Sequence, residues 1–407
     1  MSTAGSNQVV VADRYQQPDK TGCAISSPAS RALTNPSKPL SIRMGNSVKT
    51  PAQRPNSHMI QSLSISNFRG FENLELHGLK RMNVLVGQNA SGKTALLEAI
   101  FLASGGSPEL ALRVQAQRGL SQVIQLAVDR SSYESLWKYL FHRIDQSKTI
   151  SINLIGTPSN TRSLTISYEQ QESAVLPFAK DGMESPFIVP IKFVWQGYKG
   201  EITEAQPTIT KEGLNVGGTG ETVPVFLFSS SLAMNAAENA SRFSELDLLG
   251  KSGIVVDALR KEFPYIREIS IQVVSGVPTL HATVTFADLK IPLGLLSGGI
   301  NKLTGILLAV ALKPHGIVLI DEIENGLHYD HLRTIWSSLL NICKQQNTQI
   351  FASTHSQECL NAALETIRGN EDDFALIRTE RPEGRCKAQA FGGRQFQSAI
   401  EQNIEVR

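Results

Sequence analysis

The sequence predicts an α/β fold with parallel strands at its centre, a mixed β-sheet and an inserted α/β lobe. Two observations carry that reading. Ile317-Val318-Leu319-Ile320 and Ile350-Phe351-Ala352 are apolar without alternation, the pattern of parallel strands covered on both faces. Strand–loop–helix units stand at both ends of the folded sequence, and such units connect parallel strands.

Residues 1–58 are rich in Ser, Pro, Asn, Thr and Ala, and beyond Val9-Val10-Val11 they show no periodic apolar face. They read as a disordered extension. Met59 is the alternative natural start, because the texture changes there. Ile60, Leu63, Ile65 and Phe68 alternate as a strand, residues 71–76 form a second, and residues 81–86 a third that enters a glycine loop. Residues 94–104 follow, with Leu96, Leu97, Ile100 and Phe101 at helical spacing. The expected organisation is an N-terminal part of the core at 59–104, an inserted lobe at 105–232 and a C-terminal part at 233–407. Within the lobe, residues 121–143 read as helix, and 149–154, 163–168 and 187–196 as strands. Residues 233–263 read as helix stopped by Pro264, followed by strands at 266–274 and 281–286 and a helix opening at Asn301. A helix at 332–344 and a strand at 349–352 complete the pattern.

The bulk numbers bound the function. The chain has 407 residues, 41% hydrophobic and 19% charged, enough for a sizeable core. No apolar run reaches the ~18–20 residues of a membrane-spanning helix, and no secretory signal opens the chain. Cys23, Cys343, Cys359 and Cys386 are scattered without a CxxC pair, which argues against a zinc site or a disulfide framework and for the cytoplasm. Net charge is +2, and residues 1–58 hold seven Lys/Arg against two Asp/Glu. The remainder is slightly acidic, so any DNA surface must be a local patch.

The glycine loop is Gly87-Gln88-Asn89-Ala90-Ser91-Gly92-Lys93-Thr94, a GxxxxGK[ST] phosphate loop in its strand-to-helix context. Gly87 and Gly92 let successive N–H groups turn toward phosphate oxygens, and the helix start adds its positive dipole end. Lys93 is suited to the β- and γ-phosphates of ATP and Thr94 to Mg²⁺. Chance yields the four specified positions in about 1% of chains this long.

The apolar strand 317–320 ends in Asp321-Glu322. Ligands gather at the C-terminal ends of parallel strands, so Asp321 is placed to hold Mg²⁺ and Glu322 to orient the attacking water. Alone, two acids at a strand end also cap a following helix; beside a phosphate loop the catalytic reading is the stronger. Ser297-Gly298-Gly299 precedes another helix and forms a second anion-binding N-terminus. One ATP does not need two such cradles from one subunit, so this turn is expected to close over a partner's nucleotide. Taken alone it is an ordinary Gly-Gly loop with a Ser N-cap. Thr354-His355 follows the strand Ile350-Phe351-Ala352, where a histidine is within reach of a γ-phosphate; taken alone it is a polar turn residue.

The ordered set resembles the ABC-type ATPase heads of the RecF, SMC and OLD group, over about residues 59–407. Ile65-Ser66-Asn67-Phe68-Arg69-Gly70-Phe71 looks like that group's opening strand, and the resemblance implies that Arg69 lies near the nucleotide. Leu296-Ser297-Gly298-Gly299 is similar to the ABC signature, with Ile300 where transporters usually carry Gln. Asp321-Glu322-Ile323-Glu324-Asn325-Gly326-Leu327-His328 looks like a Walker B and D-loop run, and Ser353-Thr354-His355-Ser356 like the switch histidine. The resemblance also implies a Q-loop glutamine, with Gln115, Gln117 and Gln122 as candidates, and a homodimer that sandwiches two ATP. With 52 residues after His355, no Toprim nuclease domain is expected, and no SMC coiled coil is present.

Three functions follow from this set. One is a stand-alone ATPase that dimerises with ATP and serves DNA maintenance or phage defence through DNA or a protein effector. Another is a transporter's nucleotide-binding subunit, disfavoured by the long separation of phosphate loop and signature. The last is a non-hydrolysing dimerisation switch, disfavoured by Glu322.

Overall fold

The computed structural model describes residues 59–402 apart from 121–129, 157–159, 170–173, 176–186, 211–212, 218–219 and 230–235. The expected N-terminal extension, Cys23 and Gln122 lie outside the described residues.

Strands β1 (Ile60–Phe68) and β2 (Phe71–His77) form a tight hairpin turning at Arg69-Gly70. Strand β3 (Met82–Val86) runs through the glycine loop into α1 (Lys93–Ser104). Next come α2 (Glu109–Gln115), a π-turn at Ala116–Leu120 and α3 (Arg130–Trp137). Strands β4 (Ile150–Gly156), β5 (Thr161–Tyr168), β6 (Ile191–Gln196) and β7 (Ile202–Ala205) pair antiparallel onto β1 in the order β2-β1-β4-β5-β6-β7. The expected strand over 187–196 is interrupted: Phe187–Ile188 pairs elsewhere and β6 begins after Pro190, which has no N–H to give a ladder.

Strand β8 (Val225–Phe228) belongs to a second sheet, so residues 105–232 feed both. The expected helix over 233–263 is two helices, α4 (Ala236–Leu248) and α5 (Gly253–Glu262), separated at Gly250 with φ 67°. Glycine takes that left-handed conformation without a Cβ clash. Strands β9 (Ile266–Val274), β10 (Val277–Val284) and β11 (Ile291–Pro292) form a small antiparallel sheet. Helix α6 (Gly298–Leu312) starts three residues before the expected Asn301, because Ser297 Oγ accepts the Gly299 N–H as an N-cap. The chain closes with β12 (Ile317–Ile320), α7 (Leu332–Gln346), β13 (Gln349–Ser353), α8 (Gln357–Ile367), β14 (Phe374–Glu380), β15 (Lys387–Gly392) and α9 (Gly393–Glu401).

The second sheet has the order β8-β12-β13-β3-β14-β15; its first five strands are parallel and β15 returns antiparallel. Its side chains divide by period two. Val84, Val318, Ile320, Ile350 and Leu376 pack with α4–α8 on one face, while Leu85, Ile317, Leu319, Phe351 and Ile377 pack with α1 and the antiparallel sheet on the other. Fully buried Gln349 joins the sheets: its Oε1 accepts the Ile60 N–H at 2.8 Å and its Nε2 donates to the Ile60 and Lys80 carbonyls. Leaving such groups unmet costs about 1–3 kcal/mol each. Among the described residues, no helix is long and apolar enough to cross a membrane.

Candidate nucleotide site

The C-terminal ends of β3, β13 and β12 lie side by side and bring the glycine loop next to Asp321. Gly87 and Gly92 have φ of 143° and 109°, and a Cβ on Gly87 would collide with the Thr379 carbonyl. Only glycine fits there. Thr379 on β14 donates to the Val86 carbonyl at 3.0 Å and therefore accepts from Ser91 at 2.6 Å, which pins the loop from below. Lys93 donates to the Gly87 and Gln88 carbonyls at 2.6 and 3.0 Å. Burial pulls its ammonium below the usual range, against the pull of Asp321, Glu322 and Glu324.

Thr94 Oγ1 donates to Asp321 Oδ2 at 2.9 Å. A hydroxyl and a carboxylate at the foot of a phosphate loop are hard oxygen donors that fit Mg²⁺. Ser353 Oγ donates to Asp321 Oδ1 at 2.6 Å and accepts the Glu322 N–H at 2.8 Å. Glu322 has φ 52°, an unusual left-handed conformation for a non-glycine residue.

Gly92, Lys93, Thr94, Asp321 and Glu322 line a cleft of about 560 Å³ together with Arg69, Gly70, Asn89, Ala90, Arg118 and the segment around Tyr139. That volume suits a nucleotide-sized ligand. Arg69 reaches the cleft but is already paired: Glu98 on α1, nearly fully buried, holds Arg69 at 2.7 Å through one oxygen and Arg118 at 2.7 Å through the other. Of the glutamine candidates, Gln117 lines an adjoining cleft with Thr94 and Asp321, whereas Gln115 is buried.

Two expected groups stand apart from the cleft of their own chain. His355 is half-exposed, with its Nδ1 3.1 Å from Glu324 Oε1, which also accepts the His355 N–H at 3.0 Å. Ser297, Gly298 and Gly299 form the α6 N-terminus, where Lys302 donates to the carbonyls of Glu322 (2.8 Å) and Asn325 (2.7 Å). The Ser-Gly-Gly turn is thereby tied to the loop after Asp321 and not to the phosphate loop. Sequence reasoning missed Ser353, Thr379, Glu98 and Lys302. Ser353 lay inside the quoted run before His355, and the other three carried no local signal.

Residues 82–361 match the family described as "AAA domain, putative AbiEii toxin, Type IV TA system". An "ATP/GTP phosphatase" of Helicobacter pylori is 26% identical over 345 residues, covering 78% of this chain and 90% of the relative. A "DNA replication and repair protein RecF" of Lachnoclostridium phytofermentans is 52% identical over 44 residues, only 11% of this chain and 12% of that protein. Among solved structures, an SMC head domain from Thermotoga maritima aligns with 14% identity and a TM-score of 0.40, covering 81% of this chain and 97% of that one. The family match runs from the first residue of β3 through the glycine loop and the carboxylate strand into α8, well over half the chain, and the protein therefore belongs to that AAA-domain family of P-loop ATPases.

Proposed function

We propose that the protein hydrolyses ATP at a site completed by a second copy of the same chain. The carrying observation is the 2.9 Å contact between Thr94 and Asp321, with Glu322 one residue further along the same strand end. In this reading Lys93 and the loop N–H groups of Gly87–Gly92 hold the β- and γ-phosphates. Thr94 and Asp321 hold Mg²⁺, which supplies positive charge to the phosphate oxygens when bound. Glu322 orients a water and accepts its proton as the water oxygen bonds the γ-phosphorus and ADP leaves. The name of the Helicobacter pylori relative supports nucleoside triphosphate hydrolysis.

The partner supplies the Ser-Gly-Gly turn. Ser297, Gly298 and Gly299 line no part of their own chain's cleft, which favours action across a dimer. His355 is the γ-phosphate sensor, and Arg69 neutralises charge beside the nucleotide. A role in DNA maintenance or phage defence, through DNA or a protein effector, is the biological setting this reading favours; the short RecF matches point the same way.

Glu322→Gln tests the proposal. The variant is expected to bind ATP as the wild type does and to accumulate as a dimer in light scattering, while steady-state phosphate release falls at least about 100-fold. Persistent turnover would remove Glu322 from the role of base.

A further inference from the structure

The cleft has an end that the phosphate chemistry leaves unused. Its wall is the segment 139–144, from which Tyr139, Phe141, Arg143 and Ile144 line the cleft. Tyr139 and Ile144 are 44% and 50% exposed, large apolar surfaces open to solvent in the cleft wall. The backbone there is unusual. Arg143 and Ile144 have φ of 55° and 62°, and a left-handed β-branched residue is a genuine outlier. Such conformations persist only where the surroundings over-determine them, and they cluster at ligand sites.

The surroundings do so here. Phe141 bridges Phe68 on β1, the Arg69 N–H donates to the Leu140 carbonyl at 2.8 Å, and His142 Nδ1 lies 2.8 Å from the Arg69 carbonyl. The segment is therefore bolted to the β1–β2 turn. That turn in turn adjoins the phosphate loop through Cys386, whose sulfur stands against both Gly70 and Gly92.

We propose that Tyr139 and Ile144 form the base subsite of the nucleotide, a purine ring lying against the phenol ring with the Ile144 side chain closing its other edge. This rests on the triphosphate reading of the phosphate loop and adds the part that reads the rest of the ligand. Residues 139–144 carry no amide side chain to pair with an adenine 6-amino group, and Arg143 of the cleft wall is a donor toward guanine O6 and N7. Stacking is tolerant of base identity because every base has a π-face. The subsite therefore accepts both adenine and guanine.

The test is calorimetric binding of ATP, GTP and inorganic tripolyphosphate, each with Mg²⁺, to the wild type and to Tyr139→Ala, Tyr139→Phe, Ile144→Gly and Lys93→Ala. The wild type is expected to bind ATP and GTP within about tenfold of each other, and both at least about tenfold more tightly than tripolyphosphate. Tyr139→Ala and Ile144→Gly should each raise Kd for both nucleotides about tenfold and leave tripolyphosphate within about twofold, and Tyr139→Phe should restore nucleotide affinity. Unchanged ATP affinity in Tyr139→Ala, alongside a loss in Lys93→Ala, would overturn the base subsite alone. Equal weakening of all three ligands would also overturn it, as a fold effect. A wild type that bound none of them would remove the phosphate-loop reading first.

Discussion

Ser353 holds Asp321 by a 2.6 Å hydrogen bond while its own oxygen accepts the Glu322 N–H at 2.8 Å. One fully buried hydroxyl on β13 thus holds the Asp321 carboxylate and the Glu322 backbone at the end of β12. Supporting hydrogen bonds of this kind orient metal-holding carboxylates and are as consequential as the ligands they hold.

Ser353→Ala should loosen Asp321 without touching the phosphate loop. The Mg²⁺ concentration for half-maximal ATPase activity should rise about tenfold, with ATP affinity in the absence of metal unchanged. A metal titration of turnover is the check, and an unshifted midpoint would separate Ser353 from the acids it contacts.

Glu98 carries two arginines, and removing it should cost more than removing either one. Burial pulls the Arg69 guanidinium below its usual range, and the Glu98 charge opposes that. Glu98→Ala strands a buried cation, at a cost of about 3–5 kcal/mol. Arg118 is half-exposed, so Arg118→Ala should cost about 1 kcal/mol or less. Urea unfolding midpoints of the two variants should rank in that order.

The two glycines of the Ser-Gly-Gly turn differ. A Cβ on Gly299 would meet the Gly326 carbonyl at 2.5 Å, whereas Gly298 has open space. Gly299→Ala should therefore lower thermal stability, while Gly298→Arg should leave the monomer's melting temperature unchanged and abolish ATP-driven dimerisation. A Gly298→Arg protein that still dimerised with ATP, in light scattering, would remove the turn from the interface.

Lys302 gives a pH signature. Burial lowers its pKa from 10.5, opposed by Glu324, Glu322 and Asp321. The unfolded chain then binds more protons than the native one below pH 10.5, so this group's contribution to stability grows as pH rises toward that value. The unfolding free energy of the wild type minus that of Lys302→Met should increase between about pH 8 and 10. A flat or falling difference would place the ammonium in a solvated setting.

Local chemistry made much of the fold legible. The glycine loop, the apolar runs at 317–320 and 350–352 and the helical spacing of Leu96, Leu97, Ile100 and Phe101 each act within a few positions. Misreadings came where local signals compete: Gly250 broke a helix whose apolar periodicity continued across it, and Ser297 moved a helix start by capping. In the site, Thr94 and Asp321 were expected from motif spacing to face one cleft, and they stand 2.9 Å apart. Thr379, Glu98 and Lys302 were not, since a buried threonine, a helical glutamate and a surface-type lysine look ordinary until their partners are known.

The amino-acid order alone therefore determined that a glycine loop and a carboxylate strand exist and that parallel strands surround them, because backbone preference and apolar periodicity are short-range. Only the tertiary structure decided that β13 separates β3 from β12, which lets Ser353 hold the Asp321 carboxylate and the Glu322 N–H, and that residues 139–144 fold back onto Arg69. Those contacts join positions tens to hundreds of residues apart, and the energy that selects them comes from burial shared by two sheets, not from any one segment.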